Sequence, residues 1–393
     1  MASRARGTLP FDVADRRLAA AAWGRLTEPG DPAAGVLRHH LGDSEALDWL
    51  LHLEAREAIG GLPAPLADVA SARAVQWPRA VARWLPRLAT LDIRRELEVL
   101  HRLGGRLVIP EDEHWPQQLD DLGVTAPAAL WVRGELTTGP GIALVGARAA
   151  TSYGEHLAAR FAHDLAEEGF VVISGGAYGI DAAAHRGALA AGGRTWALLA
   201  GGVDRLYPAG NSSLLSSIID SGAVISEAPC GTAPMRSRFL QRNRLIAALA
   251  EATVVVEAAW RSGAINTASH AGELLRPLGA VPGPVTSMAS AGCHRLLREN
   301  NAVCVTDVAE IRELVPGGAP APQQHELDPG LLDGLDPLAR QVLDALPARS
   351  SAAVPSLVRS SGLSSIEVRA ALGRLELAGR AARDGAGWCR LRD

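Results

Sequence analysis

The chain has 393 residues, 48% of them hydrophobic and 21% charged, a length that calls for two or three domains and a composition that excludes a disordered polymer. All 39 of its basic residues are Arg, which excludes a Walker-type phosphate lysine, a Schiff-base lysine and a lysine general base, and leaves anions to guanidinium forks, backbone amides and hydroxyls. A formal net charge of -4 predicts no whole-molecule attraction to nucleic acid, so any such contact has to be local.

Residues 1–10 carry Arg4 and Arg6 but no apolar run of signal-peptide length, and no segment approaches a membrane span. Cys230, Cys293, Cys304 and Cys389 lie far apart and form no metal-type pair, so the expectation is reduced thiols, no metal, no membrane and a cytoplasmic protein. From Asp15 to about Leu100, Ala, Leu and Trp recur at helical spacing with breaks at Pro29-Gly30-Asp31-Pro32 and Gly60-Gly61, which predicts an all-helical domain over residues 1–100. Short apolar pieces at Arg106–Ile109 and Ala129–Val132 then read as strands leading into a sheet.

Five buried runs follow, at Ile142–Val145, Val171–Ser174, Thr195–Ala200, Ala223–Ile225 and Thr253–Val256, with helix-length segments between most of them. Continuous apolar strands alternating with helices predict an α/β domain over 101–315 built on a parallel-rich sheet, whose ligands sit outside the strands' carboxyl ends. A Pro/Gly-rich stretch, 316–330, reads as a linker. Residues 331–393 offer three helical patterns and a hairpin around Asp384-Gly385-Ala386-Gly387, the outline of a winged helix. From Asp336 onward nine Arg face six acids, which leaves DNA contact and protein contact equally open for this tail.

Function is expected in the loops after the strands. Gly146 and Arg148 follow the first run; the glycine permits a tight turn, a helix from Glu155 would aim free amides at an anion, and Arg148 is either a phosphate fork or a surface arginine of the turn. Ser174-Gly175-Gly176-Ala177-Tyr178-Gly179 follows the second run and reads as a backbone nest for phosphate. The spacing is not that of a dinucleotide fingerprint, and no acid is placed to grip a ribose. Asp181 and His185, one helical turn apart, are expected as a helix cap with a polar contact in preference to an acid/base pair.

Between Glu227 and Glu251 there is no acid at all, but Arg236, Arg238, Phe239, Arg242, Asn243 and Arg244 are clustered. A ring among guanidinium groups suits single-stranded nucleic acid, with the base stacked on the aromatic face and the phosphates held by the forks. Arg244 alone is expected to pair with a carboxylate, Glu227 or Glu257. After the fifth run, Arg261, Ser262 and Gly263 offer a fork, a hydroxyl and an amide at a helix start.

Together with Tyr207-Pro208, Ser226-Glu227 and Pro282-Gly283, these motifs, in their order and spacing, resemble the DprA (Smf) DNA-processing family over nearly the whole chain. The resemblance implies a SAM-like helical domain, an extended Rossmann-like core and a winged helix. It further implies a non-catalytic, cofactor-free homodimer that binds single-stranded DNA and loads RecA recombinase during natural transformation, with single-strand-binding protein as a further candidate partner. DNA contacts would fall on Gly146, Arg148, Ser174, Gly175, Gly176, Gly179, Arg236, Arg238, Phe239, Arg242, Asn243, Arg261, Ser262 and Gly263. Asp181, His185, Glu227, Arg244 and Glu257 would be structural. The chain departs from the family at Leu240, where many members have Pro, and at His294, where Asn is usual. Two alternatives stand beside this one. A hydrolase of the related lysine-decarboxylase-like Rossmann group would use similar loops, although its Pro-Gly-Gly-x-Gly-Thr signature is replaced here by Ala200-Gly201-Gly202-Val203-Asp204. A duplex-DNA regulator would act through the tail.

Overall fold

A computed structural model describes residues 9, 11–55, 66, 69, 72, 74–137, 139–315, 336–347, 350–385 and 387–391; the expected linker, 316–330, lies outside them. The chain divides into two compact units, residues 1–321 and 322–393.

The first unit is organised by a nine-stranded sheet. Its strands are β1 (Gly105–Val108), β2 (Leu130–Gly134), β3 (Gly141–Gly146), β4 (Val171–Gly175), β5 (Thr195–Leu198), β6 (Ala223–Ser226), β7 (Ala252–Glu257), β8 (Leu278–Ala280) and β9 (Val303–Cys304). They lie in the order β1-β2-β6-β5-β4-β3-β7-β8-β9. Seven of them, β3 to β9, pair in parallel, while β2 joins β6 and β1 joins β2 antiparallel. The parallel-rich sheet expected from the apolar runs is therefore present. It is longer by β8 and β9, whose three and two residues carry no pattern long enough to read.

Alternation along the strands sorts the layers. Ile142 and Leu144 face helices α5 (Ser152–Glu167), α6 (Ile180–Ala190) and α11 (Val308–Glu313), while Ala143 and Val145 face α8 (Arg236–Leu249), α9 (Gly263–Glu273) and α10 (Ala291–Glu299). The chain leaves β3 through β4, β5 and β6 on one side and returns to β7, β8 and β9 on the other. The boundary between β3 and β7 is thus a topological switch point, with a crevice at the strands' carboxyl ends.

The N-terminal helices are α1 (Arg16–Leu26), α2 (Pro32–Ala55), α3 (Trp77–Leu88) and α4 (Ile93–Arg102). They do not keep a core to themselves. Trp23 and Trp84, edge to face at 5.6 Å, belong to one apolar cluster with Trp131 of β2, Ala197 of β5, Leu199 just after it, and Leu215 and Ile218 of α7 (Ser212–Ser221). Polar ties reinforce the join: Arg25 donates to the Cys230 carbonyl at 2.7 Å and pairs with Glu96, which burial pushes toward its neutral form.

The second unit contains α12 (Pro337–Ala345), α13 (Val354–Ser361), α14 (Ser365–Leu377) and the antiparallel hairpin β10 (Ala381–Asp384) and β11 (Gly387–Arg390). Asp336 caps α12, and Ser364 with Glu367 forms a reciprocal capping box on α14. Val342, Leu357, Leu372 and Trp388 build its core, and a bridge from Ala352 to Trp388 adds a third strand position beside the hairpin. This is the winged helix expected from the tail.

Candidate nucleic-acid interface

The loops after β3, β4, β5 and β7 and the start of α8 converge on the carboxyl rim of the sheet. Glu257, the last residue of β7, pins the β3 loop. Its carboxylate accepts the Thr151 amide at 2.8 Å and the Thr151 hydroxyl at 2.7 Å, its own carbonyl accepts the Ala147 amide, and Thr151 in turn caps α5. The partner of Glu257 is a threonine and not one of the arginines, and α5 starts at Ser152, three residues before the expected Glu155.

The glycines of these loops serve close packing within the protein. A β-carbon on Gly175 would lie 2.0 Å from Arg242 Nη1 and 2.5 Å from Asp181 Oδ2, and one on Gly146 would lie 2.5 Å from Ile180. Gly179 has φ of 73°, and its β-carbon would stand 2.3 Å from the Ala147 carbonyl oxygen. Gly176 is pressed in the same way against Leu199 and the Tyr207 carbonyl. Close packing is thus a reason for glycine at Gly175, Gly176 and Gly179 beside the amide nest expected from the sequence, since the space left by the missing side chains is filled by the loops themselves.

Asp181 is not the cap of α6. Gly179 holds that position, and Asp181 is buried in the first turn, where it accepts the Ala177 amide at 3.4 Å. Burial raises its pKa, opposed by the Arg242 guanidinium. Nor does it meet His185. The fully buried His185 ring donates from Nε2 to the Gly175 carbonyl at 2.8 Å, while Nδ1 lies 2.7 Å from the Thr195 hydroxyl. Desolvation pushes His185 down to about 4, so it is neutral at pH 7 and holds β4 to β5.

The arginine cluster divides into two groups. Arg244 clasps both oxygens of Glu227 at 2.7 and 2.8 Å and also binds the Thr125 carbonyl. Arg238 is removed from the expected contact set, because Glu28 of the helical layer accepts its Nε at 2.8 Å and its Nη2 at 3.0 Å. Two polar side chains leave the set with it. Ser174 is buried and donates to the Leu144 carbonyl at 2.6 Å, and Asn243 holds α9 through the Gly263 carbonyl and Asn266. Ser262 spends its hydroxyl on the Ala264 amide as the α9 cap.

Four other arginines, Arg148, Arg205, Arg236 and Arg261, are exposed and form no ion pair with any described residue. A fifth, Arg242, is buried behind them, donating to the Leu198 carbonyl at 2.8 Å; burial lowers its pKa to about 10, Asp181 pulls it up and Arg148 pushes it down. It remains a cation at neutral pH.

Phe239, in the first turn of α8, is half-buried among these charges. The Arg148 guanidinium lies 4.7 Å over its ring, and the Tyr207 ring is 6.1 Å away at a tilt of 52°. Gly176, Leu199, Arg205, Tyr207, Phe239 and Arg242 line a single recess. Sequence reasoning named Phe239 but missed Arg205 and the aromatic rim. The chain has three tyrosines, and all three, Tyr153 (50% exposed), Tyr178 (49%) and Tyr207 (46%), stand on this rim beside half-exposed Trp260. The signal was available, since Tyr178 and Tyr207 follow buried strands within loops, and Tyr153 opens the helix after β3, where polar residues could stand instead. Cations and open ring faces on one edge, with the nearest carboxylates turned inward, suit an unpaired polynucleotide.

The family described as DNA recombination-mediator protein A matches residues 106–316, and the DprA winged helix domain matches residues 320–387. The chain belongs to the DprA family. A DprA relative in Mycobacterium tuberculosis, strain H37Rv, is 49% identical over 306 residues, 74% of this chain and 78% of the relative. Protein Smf of Escherichia coli K12 is 36% identical over 318 residues, 77% of this chain and 81% of that protein. Among solved structures, DNA processing protein A of Streptococcus pneumoniae superposes with a TM-score of 0.59 at 28% identity, covering 77% of this chain and 98% of that one. DprA membership places the chain among DNA-binding proteins of DNA processing and recombination. Among the described residues no helix is long and apolar enough to cross a membrane.

Proposed function

We propose that the carboxyl rim of the sheet binds single-stranded DNA and that the protein is a recombination mediator, protecting incoming strands and loading RecA onto them during natural transformation without performing chemistry. It acts in the cytoplasm as a homodimer, with single-strand-binding protein as a further partner. One observation carries the DNA contact: Phe239, Tyr207 and Tyr178 lie on the rim with Arg148, Arg205 and Arg236, whose guanidinium groups form no ion pair among the described residues. Rings for bases and forks for phosphates are the two components that sequence-tolerant single-strand binding requires. Of the original set, Gly146, Arg148, Gly175, Gly176, Gly179, Arg236, Phe239, Arg261 and Gly263 remain assigned to the contact surface, with Arg242 as the fixed charge behind it.

Against the hydrolase alternative stands His185, the histidine behind the loop after β4, which is neutral, fully buried and spent on internal bonds. The experiment is fluorescence anisotropy with a labelled oligothymidine and its duplex, followed by RecA assembly on strands coated with single-strand-binding protein. Tighter binding to the single strand and faster RecA assembly are expected. Equal affinity for both forms, or none for either, would remove the assignment.

A further inference from the structure

The rim holds a second aromatic site that lies on the other side of the switch point. Phe239 and its companions gather around the loops of β3, β4 and β5. Trp260 instead follows β7, in the loop that leads to α9. It differs from every other tryptophan of the chain. Seven are buried in the cores, Trp49 is half-buried, and Trp260 alone is 50% exposed. A single exposed indole needs no explanation by itself, but this one stands on the same rim as half-exposed Tyr153, Tyr178 and Tyr207.

Its surroundings point to a ligand. The Arg295 guanidinium of α10 lies 5.2 Å from the ring, so one indole face already carries a cation that holds the ring in place. The neighbouring Arg261 is exposed and without an ion pair among the described residues, and Gly263 opens α9 with nothing within 4 Å of the position a β-carbon would take. Arg295 itself is tied to Glu299 at 3.2 Å, which anchors the guanidinium that braces the indole. A braced aromatic face with a free fork beside it is the pairing already seen at Phe239 and Arg148, repeated on the far side of β3.

We propose that Trp260 is a second base-stacking site, with Arg261 holding the adjoining phosphate, so that a single strand crosses the crevice from the Phe239 recess to the β7 loop. This inference rests on the single-strand reading above and extends it to a direction and a length. From β5 to β7 the sheet advances three strand spacings, about 14 Å at ~4.8 Å each. An oligonucleotide too short to cover that span occupies one aromatic site; a longer one reaches both.

The test compares oligothymidines of ~3 and ~15 nucleotides on the full chain, wild type against Trp260→Ala, Trp260→Phe and Phe239→Ala. Trp260→Ala is expected to weaken the longer oligonucleotide by ~10-fold, to leave the shorter one's affinity within ~2-fold, and to leave the salt slope unchanged because no charge is removed. Trp260→Phe restores most of the loss by keeping a stacking face. The long strand should also quench the difference in emission between wild type and Trp260→Phe, which isolates this exposed indole. Wild-type affinity for the long oligonucleotide in Trp260→Ala, with Phe239→Ala still impaired, would overturn the second site and leave the primary reading standing. No binding of either length by the wild type would remove both.

Discussion

Replacing Phe239 with Ala tests the primary recess. A base stacked on an aromatic ring is worth ~1–3 kcal/mol, but the Phe239 ring is not free in the unliganded protein, since Arg148 lies 4.7 Å above it. An incoming base that takes this face displaces a cation–π contact worth ~0.5–1 kcal/mol at an exposed site. The net loss on Phe239→Ala is therefore about 1–2 kcal/mol, a ~5- to 30-fold rise in Kd. Arg148 carries two opposed effects. Swung away from the ring it gains a phosphate, so Arg148→Ala should reduce the salt slope by ~0.7 for a single strand. The same substitution uncovers the ring, so at high salt the variant should match the wild type or exceed it. Anisotropy titrations of a labelled oligothymidine across a salt series measure both quantities, with thermal melts confirming that each variant is folded. The double variant completes a cycle in which the two residues couple by ~0.5–1 kcal/mol. An unchanged Kd in Phe239→Ala, together with an unchanged slope in Arg148→Ala, would refute the recess as the contact surface.

Other substitutions separate structure from binding. Arg244→Ala leaves Glu227 buried without its partner and should destabilise by ~3–5 kcal/mol while sparing the salt slope of DNA binding, as urea unfolding and anisotropy would show. Because the folded pKa of His185 is lowered from 6.5 to about 4, the unfolded chain takes up the proton first as pH falls. The stability this group contributes is complete above pH 6.5, is down by about 2 kcal/mol at pH 5, and is lost as pH falls through the folded value. Urea midpoints of the wild type and His185→Gln at pH 7 and pH 5 should diverge by that amount, and parallel pH dependence would rule out a buried neutral ring. Gly179→Ala forces a β-carbon against the Ala147 carbonyl at positive φ and should cost more than ~2 kcal/mol in unfolding free energy, together with some affinity, because the same loop presents Arg148.

Long-period features were readable and short-range commitments were not. The runs at Ile142, Val171, Thr195, Ala223 and Thr253 became β3 to β7 because strands buried on both faces have no alternative composition. The edges β8 and β9 escaped because Leu278–Ala280 and Val303–Cys304 are strands only by virtue of the neighbours they pair with. The helical layer looked separate because its periodicity stops near Leu100. Its core continues into Trp131 and Leu199, which helical spacing within residues 1–100 cannot reveal. Glycine was the least decisive letter in the site, since a nest for phosphate and a close approach of two loops require the same residue. The atoms opposite Gly175, Arg242 and Asp181, show the close approach, which no residue pattern announces.

The arginines of α8 show why a charge cluster in a sequence does not by itself give a charged surface. Arg238, Arg242 and Arg244 lie within two helical turns, yet each meets a different fate set by residues remote in the chain: Glu28 for the first, the Leu198 carbonyl for the second, Glu227 for the third. Two of the three are neutralised by carboxylates. Arg242 forms no such ion pair with a described residue, although the buried Asp181 carboxyl offsets part of its charge. Its guanidinium is fixed by a carbonyl and desolvated, so it is already aimed when a ligand arrives. Exposed Arg148, Arg205 and Arg236 must lose side-chain freedom to grip a phosphate. Arg242 has already lost it in folding. The recess is thus preorganised from behind by one buried cation and completed in front by mobile ones, an arrangement that favours an anionic chain without fixing the order of its bases.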